Sequence, residues 1–489
     1  MSLAAVREPR SHGVIAGCLT GLLICGLMAC SSSSSEPEAP KRVLLITVDT
    51  LRADHMGIHG YPRPTSPALD GLAEQGVMFS RAVAQWPKTG PSLASIFTGR
   101  YPKTTGLTHR AAQQIPAEYL TLPELFQSAG YSTLGVVSNA VLSAELGWNR
   151  GFDEFLETWK LGGAISDDPV EHRKWVGAPL VNQLAIPALE RHADSERLFA
   201  WLHYSDPHAP YLLPEGSIDP FLDDAFDTQD ELIEHELPPA RAIDDQRRLG
   251  FYVARYDANI LVTDSYIGAI LDHLESLGLL EDALVIFTSD HGEGLGEHDE
   301  LFEHGREPYN TTAHVPLFIT YTGVARAGRQ IDHPIELLDL YPTLRELLQI
   351  PEGQVGLEGS SLVPFLGSES AIDTKDLAQF RYAFSEAGGG QMLWRHYLSV
   401  QDGRWKLVFH PAVDRNGRQL PPTFELFDLD SDPQELENLA GQQKDEFDRL
   451  WQALSTWMES TPETGQIDPD SEAYSEETLN ALKALGYLN

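Results

Sequence analysis

Cysteine is almost missing from this chain: 489 residues contain three, Cys18, Cys25 and Cys30, all within the first thirty positions. Their placement excludes a disulfide framework, cysteine-ligated zinc, iron–sulfur clusters and a thiol nucleophile in the body of the protein. Basic charge is scarce as well, with 35 Lys plus Arg against 72 Asp plus Glu and a net charge of −37. So acidic a body repels polyanions, and nucleic acid is not an expected partner. Aromatic residues make up only 9%, yet apolar residues reach 42%, enough to bury a sizeable core. Beyond residue 28 there is no long apolar run, and no internal repeat is present.

The one long apolar run, residues 13–28, follows Arg7 and Arg10 and has the size of a secretory signal rather than of a spanning helix. It closes on Leu27-Met28-Ala29-Cys30, which resembles the bacterial lipobox. The resemblance implies an exported lipoprotein lipidated at Cys30 and held at the bacterial cell envelope, with an uncleaved membrane anchor as the alternative. Residues 31–40, five serines followed by Glu-Pro-Glu-Ala-Pro, read as a polar tether.

Residues 42–48 form a continuous apolar and β-branched run, the signature of a strand buried on both faces. Similar runs occur at 133–137, 198–203, 284–288 and 315–320, with helical spacing between them, clearest at Tyr256, Ile260, Thr263, Ile267, Ile270, Leu274 and Leu277 ahead of Gly278. This alternation predicts a doubly wound, mostly parallel α/β sheet flanked by helices. After about Lys375 shorter strand-like pieces at 397–400, 405–409 and 424–427 predict a small antiparallel α+β subdomain. The expected organisation is a signal peptide at 1–29, a lipidated tether at 30–40, a catalytic domain at 41–375, the antiparallel subdomain at 376–440 and a helical acidic tail at 441–489. Residues 162–192 and 217–246 read as loops without a recognisable signature, and 223–236 as a solvated acidic insertion.

In open α/β sheets, ligands bind beyond the carboxyl ends of the strands. Asp49 directly follows the first run, and Asp290 and His291 follow the run 284–288. Two carboxylates and an imidazole arriving from separate strand ends suit one divalent cation, although each alone would read as a turn or capping residue. In Lys88-Thr89-Gly90-Pro91-Ser92, Pro91 suits the first position of a helix and so puts Thr89 just before a helix N-terminus, where a developing anion is stabilised. Taken by itself, Thr89 would read as a helix cap.

Together these segments resemble the sulfatase family of the alkaline phosphatase superfamily. The resemblance is carried by Val48-Asp49-Thr50-Leu51-Arg52-Ala53-Asp54-His55, Pro91-Ser92 with Thr98-Gly99-Arg100-Tyr101-Pro102, Gly151-Phe152-Asp153, Asp206-Pro207-His208-Ala209-Pro210-Tyr211 and Ser289-Asp290-His291-Gly292-Glu293. Leu295-Gly296-Glu297-His298, His304-Gly305, Val315-Pro316, Asp339-Leu340-Tyr341-Pro342-Thr343 and Glu425-Leu426-Phe427-Asp428-Leu429 continue it in order. It implies that Asp49, Asp290, His291 and Thr89 hold one divalent metal, with Thr89 at the nucleophile position. It further implies that His208 contacts the transferring group, that His304 faces the leaving-group oxygen as a general acid, and that Asn139 contacts substrate. His55, His203 and His298 read as structural or supporting residues.

Two departures bear on the chemistry. The family nucleophile is a Cys or Ser oxidised to formylglycine in Cys/Ser-x-Pro-x-Arg, whereas this chain has Thr89 and Leu93, so no formylglycine is expected. A threonine has no second hydroxyl with which to expel sulfate, whereas a phosphorylated threonine can be cleared by a metal and an in-line water. Thr50 stands where many relatives have another metal-binding Asp, which leans the site from calcium towards manganese or zinc. The expected activity is metal-dependent hydrolysis of sulfuric or phosphoric esters, with phosphate or phosphonate esters favoured. The alternatives are a true sulfatase, a transferase, and a metal- or glycan-binding surface lipoprotein with weak catalysis. Expected partners are a small-molecule, glycan or lipid-headgroup ester and, through the lipid, a membrane; oligomeric state is not fixed by sequence.

Overall fold

The computed structural model describes residues 39–461 except 109–113, 162–176, 215, 223–231, 235, 239–240, 352–355, 368–376, 390–391 and 416–417. The signal peptide, Cys30, nearly all of the tether, most of the acidic stretch 223–236 and the tail beyond Thr461 therefore lie outside the described residues. Among the described residues no helix is long and apolar enough to cross a membrane.

In chain order the strands of the main sheet are β1 (Arg42–Val48), β2 (Val77–Val83), β3 (Ser132–Val137), β4 (Glu154–Glu157), β5 (Leu198–Tyr204) and β6 (Ala283–Ser289). A small hairpin of β7 (Gly294–Leu295) and β8 (Leu301–Glu303) follows, then β9 (His314–Tyr321), β10 (Arg329–Ile331) and β11 (Ile335–Glu336) return to the sheet. Its order is β10-β2-β9-β6-β1-β5-β3-β4, with β11 also on β2, and every pairing is parallel except those of β9 with β2 and β6. The chain thus adopts the doubly wound, mostly parallel class that its apolar runs predict.

Both faces of β1 are covered, which is why its sequence does not alternate with polar residues. Val43 and Leu45 join a core with Leu93, Ile96 and Phe97 of α2 (Thr89–Thr98), Leu125 and Phe126 of α3 (Leu122–Ser128) and Leu344 of α6 (Leu340–Leu347). Leu44, Ile46 and Val48 face the opposite core with Leu69 of α1 (Pro67–Ala73), Val181 and Ala185 of α4 (Ala178–Arg191) and Ile260, Ile267 and Ile270 of α5 (Leu249–Ser276). Residues 178–191, read as loop, are thus a helix: the small Ala178, Ala185 and Ala188 let it lie close on the sheet, a pattern without the bulky periodicity of α5.

The C-terminal part forms a separate antiparallel sheet of β12 (Ala383–Gly389), β13 (Met392–Gln401), β14 (Trp405–His410) and β17 (Thr423–Asp428), with β15 (Val413–Arg415) and β16 (Arg418–Leu420) as a hairpin. Leu450, Leu454 and Trp457 of α7 (Lys444–Ser460) pack with Leu398, Val400, Leu407 and Leu426 of this sheet, and Tyr101 and Leu338 enter the same core.

Candidate active site

Parallel register gathers the site. Val48 of β1 pairs with Tyr204 of β5 and with Ser289 of β6, so Asp49, Ser205 and Asp290 leave their strands at one level. Val137 of β3 pairs with His203, which brings Ser138 and Asn139 to the same edge. Side-chain bonds then tie the strand ends together: Leu51 N donates to Ser289 Oγ (3.0 Å), Ser289 Oγ donates to the His291 carbonyl (2.6 Å), and Ser205 N donates to Ser138 Oγ (2.8 Å).

Helix α2 aims its N-terminus at this edge. Ser92 N donates to the Lys88 carbonyl (3.0 Å), so the first turn closes two residues earlier than Pro91 alone suggests, and Thr89 lies inside the helix rather than before it. Ser92 Oγ donates to the Asp290 carbonyl (2.6 Å), clamping the helix onto the end of β6. Thr89 Oγ1 is 3.4 Å from His291 Nε2 and lies beside the Asp290 carboxylate, whose proton affinity it lowers against the effect of burial, so the hydroxyl sits among the metal-type residues. Leu93 is buried in the core and offers no charge here.

The two carboxylates are arranged alike. Asp49 Oδ2 accepts from Asn139 Nδ2 (2.6 Å) while its Oδ1 has no partner; Asp290 Oδ1 accepts from His291 N (2.9 Å) and Thr50 N (3.3 Å) while its Oδ2 has none. The two unpartnered oxygens lie 3.6 and 3.7 Å from His291 Nε2. His291 Nδ1 donates to the Gly292 carbonyl (2.9 Å), so the neutral ring presents a bare Nε2 to them. Burial, and for Asp49 also the nearby Asp290, pushes both carboxylates up, Asp290 to about 7. Burial lowers His291. Fully buried like charges with one open oxygen each, beside a bare imidazole nitrogen, are a donor set that fits a divalent cation.

Thr50 pays for its place with a left-handed backbone (φ 58°), rare for a β-branched residue and costing about 1–3 kcal/mol. That conformation turns its N–H onto Asp290 and its carbonyl onto the Tyr256 hydroxyl (2.6 Å).

His203 comes nearer the metal site than its sequence context suggested. Donor atoms of Asp49, His203 and Asp290 lie within 4.8 Å of one another, all buried. The Trp201 indole N–H donates to Thr47 Oγ1 (2.9 Å), and His203 Nδ1 meets the same hydroxyl (2.9 Å). His203 Nε2 is buried without a hydrogen-bond partner, 3.9 Å from Asp49 Oδ2, so His203 stands beside the paired carboxylates with one ring nitrogen open. The readable signal is its place in β5 opposite Thr47, one residue before the strand end.

Asn139 is fully buried, with its amide nitrogen on Asp49 and its oxygen accepting from Val141 N (3.0 Å). Both ends of the side-chain amide expected to contact substrate are thus engaged within the protein, the nitrogen on the Asp49 carboxylate. His208 and His304 do reach the site: their ring centroids are 5.2 Å apart, and that of His304 is 4.4 Å from His291. Burial and neighbouring His291 hold His304 well below the usual imidazole range, so it is neutral without substrate. His304 Nδ1 meets the fully buried Glu293 (3.0 Å to Oε1), a residue quoted in the motif but given no role from sequence. His55 pairs with Asp257 (2.7 Å) and His298 stacks on Tyr309 (3.7 Å between centroids).

Two family models match: "Sulfatase" over residues 41–350 and "N-sulphoglucosamine sulphohydrolase, C-terminal" over residues 296–462. An ulvan-active sulfatase of Formosa agariphila is 27% identical over 438 residues, covering 86% of this chain and 80% of that protein. Among solved structures, one described with its substrate D-glucosamine-2-N,6-O-disulfate superposes with a TM-score of 0.67 at 19% identity, covering 88% of this chain and 100% of that one. The phosphonate monoester hydrolase of Agrobacterium radiobacter superposes with a TM-score of 0.65 at 22% identity, covering 86% and 96%. At such identities the superpositions speak for the fold alone.

Proposed function

The chain belongs to the sulfatase family, and from that premise we propose that this ester hydrolase uses Thr89 directly as its nucleophile and acts on phosphate or phosphonate esters in preference to sulfate esters. The observation that carries this reading is the Thr89 hydroxyl, which lies in the first turn of α2 and touches both Asp290 and His291. Asp49, Asp290, His291 and Thr89 would hold a divalent cation, manganese or zinc before calcium because an imidazole replaces an oxygen donor. Bound there, the cation would neutralise the paired carboxylates and lower the pKa of the hydroxyl.

The remaining steps belong to the chain. The positive end of the α2 dipole faces the anion, and His208, whose Nδ1 donates to the Ala209 carbonyl (2.6 Å), presents Nε2 to the transferring group. The anionic ester supplies negative charge that favours the protonated form of His304, which donates to the departing oxygen. A water then attacks the phosphorylated Thr89, and His304 takes a proton from that water. A sulfated Thr89 would need the same water attack at sulfur, a slower step, which is why phosphorus is preferred.

The relatives divide between sulfate and phosphonate chemistry, and the D-glucosamine disulfate named for one solved structure makes a sugar ester a substrate class to test here. A lipid at Cys30 would hold the enzyme at the bacterial envelope; labelled fatty acid on the wild type, lost in Cys30→Ala, checks it. For the reaction, the protein lacking residues 1–30 is offered 4-nitrophenyl sulfate, phosphate monoester, phosphate diester and phenylphosphonate with manganese, zinc or calcium, alongside Thr89→Ala. Faster turnover of the phosphorus esters, lost in Thr89→Ala, with phosphate trapped on Thr89, is the expected result. Fastest turnover of the sulfate, retained in Thr89→Ala, would overturn the reading.

A further inference from the structure

Three imidazoles at this site, His208, His291 and His304, are each anchored through Nδ1, but not by equal partners. His208 and His291 use the backbone carbonyls of Ala209 and Gly292, whereas His304 uses the carboxylate of Glu293 at 3.0 Å. A carbonyl fixes a tautomer only; a carboxylate fixes the tautomer and also stabilises the imidazolium. We propose that Glu293 is a positioning residue for leaving-group protonation, holding the Nδ1–H of His304 so that Nε2 faces the departing oxygen and is the atom that gives and regains the proton.

Glu293 is fully buried, its backbone carbonyl accepts from Arg52 Nη1 (3.2 Å), and the preceding Gly292 packs so closely that a Cβ there would lie 2.1 Å from the Thr311 carbonyl oxygen. Two residues beyond the metal-site His291, the turn that presents Nε2 of one histidine thus also fixes the acid histidine.

The proton count closes over the cycle. In the first step the Thr89 oxygen, ionised before the cycle with its proton released to solvent, bonds to phosphorus as the bond from phosphorus to the leaving oxygen breaks; that electron pair stays on the leaving oxygen, and the Nε2 proton of His304 moves to it, leaving neutral imidazole with Nδ1–H still on Glu293. In the second step the water oxygen bonds to phosphorus, the bond to Thr89 breaks with its electron pair returning to the Thr89 oxygen, and the water's proton restores Nε2.

This inference rests on the hydrolase reading above, and leaving-group dependence separates the two. Wild type, Glu293→Gln, His304→Ala and the double variant are compared on a series of aryl and alkyl phosphorus esters from 4-nitrophenyl to methyl, with metal content measured on each. Expected for Glu293→Gln is a loss in kcat/KM of about 10- to 100-fold on the poorest leaving groups but within about 3-fold on 4-nitrophenyl, at unchanged metal content. The double variant should be no slower than His304→Ala alone. Equal loss across the series, lost metal, or additive losses in the double variant would overturn the role of Glu293. If Thr89→Ala remained active, the reading of Thr89 as direct nucleophile would fall instead.

Discussion

Asn139 Nδ2 donates to Asp49 Oδ2 at 2.6 Å, so a side chain from the end of β3 holds a carboxylate from the end of β1 while Asp49 Oδ1 stays open. Removing such an outer partner typically costs about 10- to 100-fold in metal affinity. Asn139→Ala should therefore weaken manganese or zinc binding by that order, measured by calorimetry, with the 4-nitrophenyl ester KM little changed at saturating metal. A large rise in KM with metal affinity intact would return Asn139 to substrate contact.

The metal-free site carries a pH signature. Burial raises Asp290 to about 7 in the folded protein against about 3.9 when unfolded, so between those values the folded state binds more protons. Stability of the metal-free protein should thus fall as pH rises from about 4 to 7, and Asp290→Asn should flatten that slope in thermal unfolding with a chelator. Because the cation needs both carboxylates ionised, its affinity should rise over the same interval, and saturating metal should raise the melting temperature most at pH 7 and above.

Glu300 gives a second, independent case. It is 1% exposed, neither carboxylate oxygen has a hydrogen-bond partner, and burial followed by the nearby Glu307 raises it well above the usual range. Its destabilising contribution is absent at low pH and grows as pH rises above the unfolded carboxylate value near 4.3. Glu300→Gln should match wild type near pH 4 and be more stable by about 1–3 kcal/mol at pH 8 by chemical denaturation. Equal stability at both pH values would show that Glu300 finds a partner.

Gly305, next to His304, has a left-handed backbone (φ 85°), and a Cβ there would lie 2.3 Å from Lys88 Cε. Gly305→Ala should destabilise by about 1–3 kcal/mol and slow turnover by displacing the chain that carries both Lys88 and Thr89. Adding Lys88→Ala should recover the steric part and leave the backbone part, a coupling readable in a double-mutant cycle.

The sequence by itself determined the strands, because runs such as 42–48 and 284–288 are apolar without alternation and can only be buried on both faces. It also determined which residues follow those strands, since the chain order of Asp49, Asp290 and His291 is local information. Three features were decided elsewhere. Helix α4 packs through small alanines that carry little periodic signal, and the start of α2 depends on the Lys88 carbonyl accepting from Ser92. The division of labour among the histidines was decided only by tertiary structure: His203 is held at Nδ1 by Thr47 with Nε2 left open beside Asp49, and His304 is set apart by Glu293. A side chain's aim depends on partners as far as 202 residues away, as for His55 and Asp257, and no local pattern records them.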